Sequence, residues 1–366
     1  MHHITHLKCV LCGATYSPAE VQYVCPKHGN EGILDVQYDY DVISTTLSRE
    51  DLAANNERSI WRYTPLLPVE LESEVPPLQV GWTPLYYSPG LAKMLGLRHL
   101  WVKDEGRQPT ASLKDRASAI AIVKAQEAGA EIITTASTGN AAAALSGLCA
   151  SLGRPNVIFV PANAPEAKVA QLLVFGSTVL LVEGSYDDAF ELCIEVSHEF
   201  GWYNRNTGYN PYMTEGKKTA IFEIYEQLEW QAPTCIFVPV GDGCIIGGIH
   251  KGLKDLLALG WIETMPRLIG VQAAGSAALF DAWKRGIDAA EIKPIQPHTI
   301  ADSIAAGLPR DRLKAMRAVM ETGGIFMTVT DEEILQAIPG MAVDEAMMVV
   351  RNEMNRVLSI IRSRKR

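Results

Sequence analysis

The stretch Gln108-Pro109-Thr110-Ala111-Ser112-Leu113-Lys114-Asp115-Arg116 sets one amine just inside a predicted helix start. Leu113, Ala117, Ile120 and Ala121 recur at helical spacing, and Ser112 is placed to cap that helix. A lysine at the positive end of a helix dipole is more readily obtained as the neutral amine. A neutral amine is what Schiff-base chemistry with a carbonyl compound needs. Taken alone, the same residues also suit an ordinary exposed lysine opposite Asp115.

A second chemistry lies near the N-terminus. Cys9-x-x-Cys12 and Cys25-x-x-His28 are two knuckle pairs separated by twelve residues, with Gly13 and Gly29 directly after them. Two such turns facing each other offer four ligands in the tetrahedral set that zinc prefers, a closed structural site with no open position for catalysis. A ribbon that has lost its metal would carry the same spacing, as would a redox Cys-x-x-Cys, although a redox pair normally follows a strand of a βαβ unit.

Two loops could bind anions. Ser137-Thr138-Gly139-Asn140 falls where a predicted strand meets a helix, a place where backbone N–H groups stand open to a carboxylate or phosphate, or simply an N-cap. Val240-Gly241-Asp242-Gly243-Cys244-Ile245-Ile246-Gly247-Gly248 is the glycine-rich exit of the apolar run Cys235–Val240, with a helix expected directly after it. Glycine lets N–H groups approach an anion, so this loop reads as a phosphate cradle from which Asp242 must turn away. No Gly-Lys-Ser/Thr follows, so it is not a nucleotide P-loop. Nor does an acidic residue end the next strand, which runs Leu268 to Gln272.

The elements that must position these residues alternate. Ile132–Thr135, Val157–Val160 and Thr178–Val182 are apolar β runs, with helical segments at 140–152, 165–175 and 186–200 between them. That is the pattern of a parallel sheet covered on both faces. Later helices are expected to bury Ile221, Ile224, Tyr225 and Leu228, and then Ile249, Leu253, Leu256 and Leu257. Cys149 and Cys193 read as core.

The 366 residues allow two or three domains, and 48% hydrophobic with 20% charged residues is a globular balance. A net charge of −9 argues against broad nucleic-acid affinity. No window approaches the roughly 20 apolar residues of a membrane span, no signal-peptide core is visible, and seven cysteines of mixed spacing do not read as a disulfide framework. The expectation is a cytoplasmic protein.

In order and content, Pro109–Asp115, Ser137–Asn140 and the 240–248 loop resemble the motifs of fold-type II pyridoxal-phosphate enzymes, the tryptophan synthase β family, and within it the threonine synthase group. The resemblance implies an α/β fold: two parallel-sheet, three-layer αβα domains with the cofactor between them, plus a small N-terminal zinc-ribbon-like element. The implied boundaries are 1–38 for the ribbon, 39–120 with 205–366 for the larger domain, and 121–204 for the smaller. It further implies pyridoxal 5′-phosphate joined to Lys114, the catalytic residue. Asn140 would face the ring oxygen, and Gly241, Asp242, Gly243, Cys244 and Ile245 the cofactor phosphate. Ser112, Ser137, Thr138, Gly139 and Lys217 would meet an amino-acid substrate, while Cys9, Cys12, Cys25 and His28 would hold structural zinc. The activity implied is conversion of O-phospho-L-homoserine and water to L-threonine and phosphate. Two alternatives stay open, a serine/threonine dehydratase or ammonia-lyase and a cofactor-binding scaffold of impaired activity. A homodimer is implied, with neither a membrane nor a nucleic-acid partner.

The chain departs from the group in two places. Met213 stands where many threonine synthases have an arginine thought to help hold the substrate phosphate, and Arg205, Lys217 or Lys218 are the candidates to replace it. The likeness also fades after about Glu333, where a final helix is expected to carry Met347, Val350, Met354, Val357, Leu358 and Ile361 on one core or subunit-contact stripe.

Overall fold

The computed structural model describes residues 3–341 and 346–351. The chain groups into two compact units, residues 1–82 with 107–219, and residues 83–106 with 220–366. Three strands open it: β1 (Ile4–Cys9), β2 (Thr15–Tyr16) and β3 (Leu34–Tyr38). Next come β4 (Leu85–Tyr87) and β5 (His99–Asp104), then β6 (Ile133–Ala136), β7 (Asn156–Pro161), β8 (Thr178–Val182) and β9 (Tyr203–Asn204). The last are β10 (Cys235–Pro239), β11 (Arg267–Ala273), β12 (Ile325–Val329) and β13 (Ala346–Arg351).

The first unit holds two sheets. β2-β1-β3 is an antiparallel ribbon. From Leu7 on, β1 alternates, with Leu7 and Cys9 buried and Lys8 exposed, the period-two pattern of a half-buried strand; the pairing with β3 shifts register between Ile4 and His6, and Thr5 is exposed. The second sheet, β8-β7-β6-β9, is parallel throughout. Its connecting helices run Asn140–Ser151, Glu166–Val174 and Tyr186–Phe200, within a residue or so of the spans expected. The last of them has local reasons for both its ends. Ser185 and Asp188 form a reciprocal capping box, and Gly201 takes the left-handed conformation that stops the helix.

In the second unit the sheet order is β12-β11-β10-β13-β5-β4. β10, β11 and β12 are parallel, whereas β13 runs antiparallel to both β10 and β5. The segment 83–106 joins this unit through a buried knot that sequence reading missed. Lys103 Nζ contacts Glu223 Oε2 at 2.7 Å, the Thr83 carbonyl at 2.6 Å and Gln227 Oε1 at 2.9 Å. Lys103 and Glu223 are fully buried, so each depends on the other for its charge.

Three expectations are corrected here. The stripe that includes Met347 and Val350 is not helical at those residues: they lie in β13, with Met347 buried. Met347-Met348-Val349-Val350 fits a slot with an open strand edge on each side, and two ladders outweigh a marginal helix. Met354, Val357, Leu358 and Ile361 lie outside the described residues. The helix after the glycine loop starts at Cys244 rather than past Gly248 and runs to Ala258. On it Ile249, Leu253 and Leu256 are buried, but Leu257 is 39% exposed, one step round from the buried stripe. Finally, the residue flanking the lysine helix is Leu113, not Ser112, although the Ser112 hydroxyl still accepts from the Lys114 N–H at 3.2 Å.

Candidate functional site

Lys114 is the first residue of the helix Lys114–Glu127. Its neighbours Ser112, Leu113, Asp115 and Arg116 are buried, while Lys114 itself is half-buried. The turn before it is clamped by Asp115, whose carboxylate accepts from the Thr110 N–H at 2.7 Å and the Thr110 hydroxyl at 2.6 Å. The clamp holds Ala111 at φ +58°, a left-handed conformation that costs a residue with a Cβ about 1–2 kcal/mol. The aspartate beside the lysine therefore shapes the loop that leads into the helix.

Ser137, Thr138 and Gly139 form the turn between β6 and the helix Asn140–Ser151, with Gly139 as its N-cap. All four residues of the motif are half-buried, and the Ser137 hydroxyl accepts from the Gly139 N–H at 3.2 Å. This helix packs on the lysine loop: a Cβ at Gly147 would stand 2.6 Å from the Thr110 methyl. Behind the turn, Asn206 Oδ1 accepts from the Thr135 hydroxyl and the Ala136 N–H, both at 2.8 Å.

The loop after β9 leads into a short helix, Tyr212–Lys217. Met213 and Lys217 lie four residues apart on it and share a face. Lys217 Nζ reaches the Thr207 hydroxyl at 3.3 Å, and Arg205 Nη1 reaches the same oxygen at 3.1 Å. Arg205 Nε also donates to the Ser118 hydroxyl at 3.1 Å, one turn along the helix from Lys114. Two buried cations thus converge on the Thr207 hydroxyl, and one of them, Arg205, also reaches the lysine helix at Ser118. Lys218 is held elsewhere, at 2.5 Å from Glu215 Oε2 and 4.0 Å above the Tyr38 ring. Of the three candidates to replace an arginine at Met213, Arg205 and Lys217 are brought together at Thr207, while Lys218 pairs with Glu215.

In the second unit, Gly241 to Gly243 form a tight exit from β10. A Cβ on Gly241 would stand 2.8 Å from the Ile304 Cα, and one on Gly243, whose φ is +89°, 2.7 Å from the Ala315 Cβ. Only glycine fits either place, so the backbone itself lines the loop. Gly247 N bonds back to Gly243 O, while the N–H groups of the residues before it point out of the helix end. Asp242 turns toward the helix Arg312–Glu321: its carboxylate accepts from the Arg310 N–H at 3.3 Å and its carbonyl from the Asp311 N–H at 2.9 Å. Gly241, Asp242 and Gly243 lie in the loop, and Cys244 and Ile245 open the helix. This arrangement fits a phosphate.

Cys9, Cys12, Cys25 and His28 do meet, with ligand atoms all within 4.8 Å of one another. Gly13 and Gly29 take positive φ, and their N–H groups bond to the Cys9 and Cys25 carbonyls, each at 2.9 Å. Burial pushes the Cys25 thiol up. Hydrogen bonds from the Tyr16 hydroxyl at 3.1 Å, from the His28 ring and from the Lys27 N–H outweigh that and bring it to about 6. A thiol that ionises readily suits a metal ligand, so the donor set and its spacing fit zinc. Gly32 was not foreseen. A Cβ there would stand 2.6 Å from the Cys25 Cβ and 2.9 Å from the His28 Cβ, so the knuckle closes only over glycine. We expect about one zinc per purified chain, lost on Cys12→Ser, with a fall in unfolding temperature of several degrees. Atomic absorption and calorimetry check this, and Cys12 is exposed, so the substitution itself disturbs little packing.

No helix among the described residues is long and apolar enough to cross a membrane. Residues 77–350 match the family described as pyridoxal-phosphate dependent enzyme, past the point near Glu333 where the likeness was expected to fade. Threonine synthase of Methanosarcina acetivorans is 41% identical over 92% of this chain and 81% of its own length. Threonine synthase of Methanocaldococcus jannaschii is 38% identical over 93% and 83%. Among solved structures, processed threonine deaminase isoform 2 from Solanum lycopersicum superposes with a TM-score of 0.60 at 24% identity, covering 82% of this chain and 74% of that one. A fungal L-serine ammonia-lyase from Rhizomucor miehei gives 0.61 at 23%, covering 71% and 79%, and both likenesses speak for the fold alone. The chain belongs to the pyridoxal-phosphate dependent enzyme family, among its threonine synthases.

Proposed function

We propose that this chain converts O-phospho-L-homoserine and water to L-threonine and inorganic phosphate, with pyridoxal phosphate as cofactor. The observation that carries the reading is 41% identity over 92% of the chain to a threonine synthase, a span too long to leave out either unit. Lys114 would hold the cofactor's carbonyl carbon, Asn140 would face its ring oxygen, and Gly241 to Ile245 would take its phosphate. Bound cofactor supplies an electron sink for charge developing on the carbons next to the substrate amine. The rest is the work of side chains and backbone. The Lys114 amine would move protons at the substrate Cα and Cβ. Ser112 and the Ser137–Gly139 turn hold the substrate carboxylate and keep the reacting bonds in line. Phosphate leaves from Cγ, water adds at Cβ, and the sum is threonine plus phosphate.

Arg205 and Lys217, converging on Thr207, are our choice for the substrate phosphate in place of an arginine at Met213. Charge-assisted hydrogen bonds to a dianion contribute about 1.5–3 kcal/mol each. Lys217→Met is therefore expected to raise KM for O-phosphohomoserine roughly 10- to 100-fold and to weaken inhibition by inorganic phosphate in parallel. An unchanged KM in a folded variant would remove Lys217 from the site.

The reading as a whole is tested by supplying O-phosphohomoserine and assaying phosphate and threonine. Phosphate and threonine in equal amounts support it; ammonia from serine or threonine with no phosphate release would replace it with a dehydratase. The expected homodimer belongs to the same proposal and is checked by sedimentation equilibrium.

A further inference from the structure

The metal-binding ribbon and the lysine helix are joined by a short chain of buried contacts, all within the first unit. Gly32 lies against Cys25 and His28, and the next residue, Ile33, bridges to Val24. β3 begins there, its Leu34 paired with Cys9, and ends five residues on at Tyr38. The Tyr38 hydroxyl donates to Glu215 Oε2 at 2.6 Å. Glu215 is also paired with Lys218, whose ammonium lies over the Tyr38 ring, and both side chains are fully buried.

Between Glu215 and Lys218 stands Gly216. A Cβ there would lie 2.1 Å from the Arg116 carbonyl oxygen and 2.9 Å from the Ala117 Cα, so the two helices touch backbone to backbone. Arg116 Nη1 adds a 2.8 Å bond to the Thr219 hydroxyl. Arg116 is two residues from Lys114. A strand of five residues spans roughly 15 Å, so the ligand cluster reaches the start of the lysine helix through one strand and one helix crossing.

We propose that Tyr38 is a positioning residue for Lys114, through which the state of the Cys9-Cys12-Cys25-His28 site is felt at the amine. With the knuckles closed, β3 holds Tyr38 against the Glu215–Lys218 pair, and that pair fixes the height of the helix Tyr212–Lys217 against Arg116. With the knuckles open, β3 loses its anchor at Gly32 and Leu34. Tyr38 then no longer fixes the crossing, and the first turn of the lysine helix loosens. The Tyr38 ring and its hydroxyl act separately: the ring shields Lys218, and only the hydroxyl ties Glu215 to the ribbon.

The inference rests on the cofactor reading for one arm of its test and is independent of it for the other. Hydrogen exchange of the peptide 108–118 is followed in wild type and in Tyr38→Phe, each with zinc and after chelation. In parallel, the pH titration of the Lys114-dependent absorbance band is recorded with pyridoxal phosphate added. Chelation of wild type is expected to speed exchange in 108–118 several-fold and to move the band's titration. Tyr38→Phe should show both changes with zinc present, and chelation should then add little. The link is overturned if chelation leaves 108–118 protected, or if chelation has its full effect in Tyr38→Phe. It is also overturned if exchange rises equally in 235–258, which would mean general unfolding. Absence of any band with intact exchange coupling would count against the cofactor reading alone. Glu215→Gln, which keeps the shape and weakens the same pair, should repeat the exchange result.

Discussion

Lys114→Ala is expected to abolish the absorbance band that purified protein gives with pyridoxal phosphate and to lower phosphate release from O-phosphohomoserine roughly 10³-fold or more. The size follows from the residue's two roles, since one amine would both hold the cofactor and shuttle protons. The fold should survive, because Lys114 is half-buried at a helix start while Leu113, Asp115, Arg116 and Ala117 carry the packing. An unfolding temperature within about 2 °C of wild type would confirm that the loss is chemical. A variant that keeps the band would move the amine to another lysine and remove the centre of the assignment.

Gly216→Ala comes next in size and acts by shape. The added methyl would stand 2.1 Å from the Arg116 carbonyl oxygen, a contact with backbone that no rotamer relieves. Overpacking of this kind costs about 3 kcal/mol where the helices cannot part, an unfolding shift of roughly 6–12 °C for a unit of this size. Where they do part, the crossing must open by about 1 Å beside Lys114, and such a displacement costs on the order of 10²-fold in rate. Calorimetry and turnover on one preparation tell how the cost divides between stability and rate. Wild-type values for both would show that the crossing is looser than the contact implies.

Local signals carried much of this molecule. The parallel strands β6, β7 and β8 and the helices from 140 to 200 follow from apolar runs broken by caps and glycines, because period and capping are properties of adjacent residues; β9, two residues long, gave no such signal. The four metal ligands were legible for the same reason: two short knuckles carry their own geometry. Lys114, Ser137–Asn140 and the glycine loop, taken together through type and order, made the family legible.

Non-local pairing lay beyond such signals. Met347 and Val350 satisfy a helical stripe equally well as a strand, and only the slot between β10 and β5, whose partners lie more than a hundred residues earlier in the chain, selects the strand. Lys103 with Glu223, Arg205 with Lys217 at Thr207, and Gly216 against Arg116 are each set by where distant segments cross. Gly32 is a glycine because of the Cβ atoms of Cys25 and His28, not because of its own φ. Residue type and order thus settled which chemistry this chain could carry. Packing decided which lysine is tied up in a buried pair, which one shares a hydroxyl with an arginine, and what holds the lysine helix in place. Burial and close approach are relations between segments, and spacing along the chain encodes them only where the segments are neighbours.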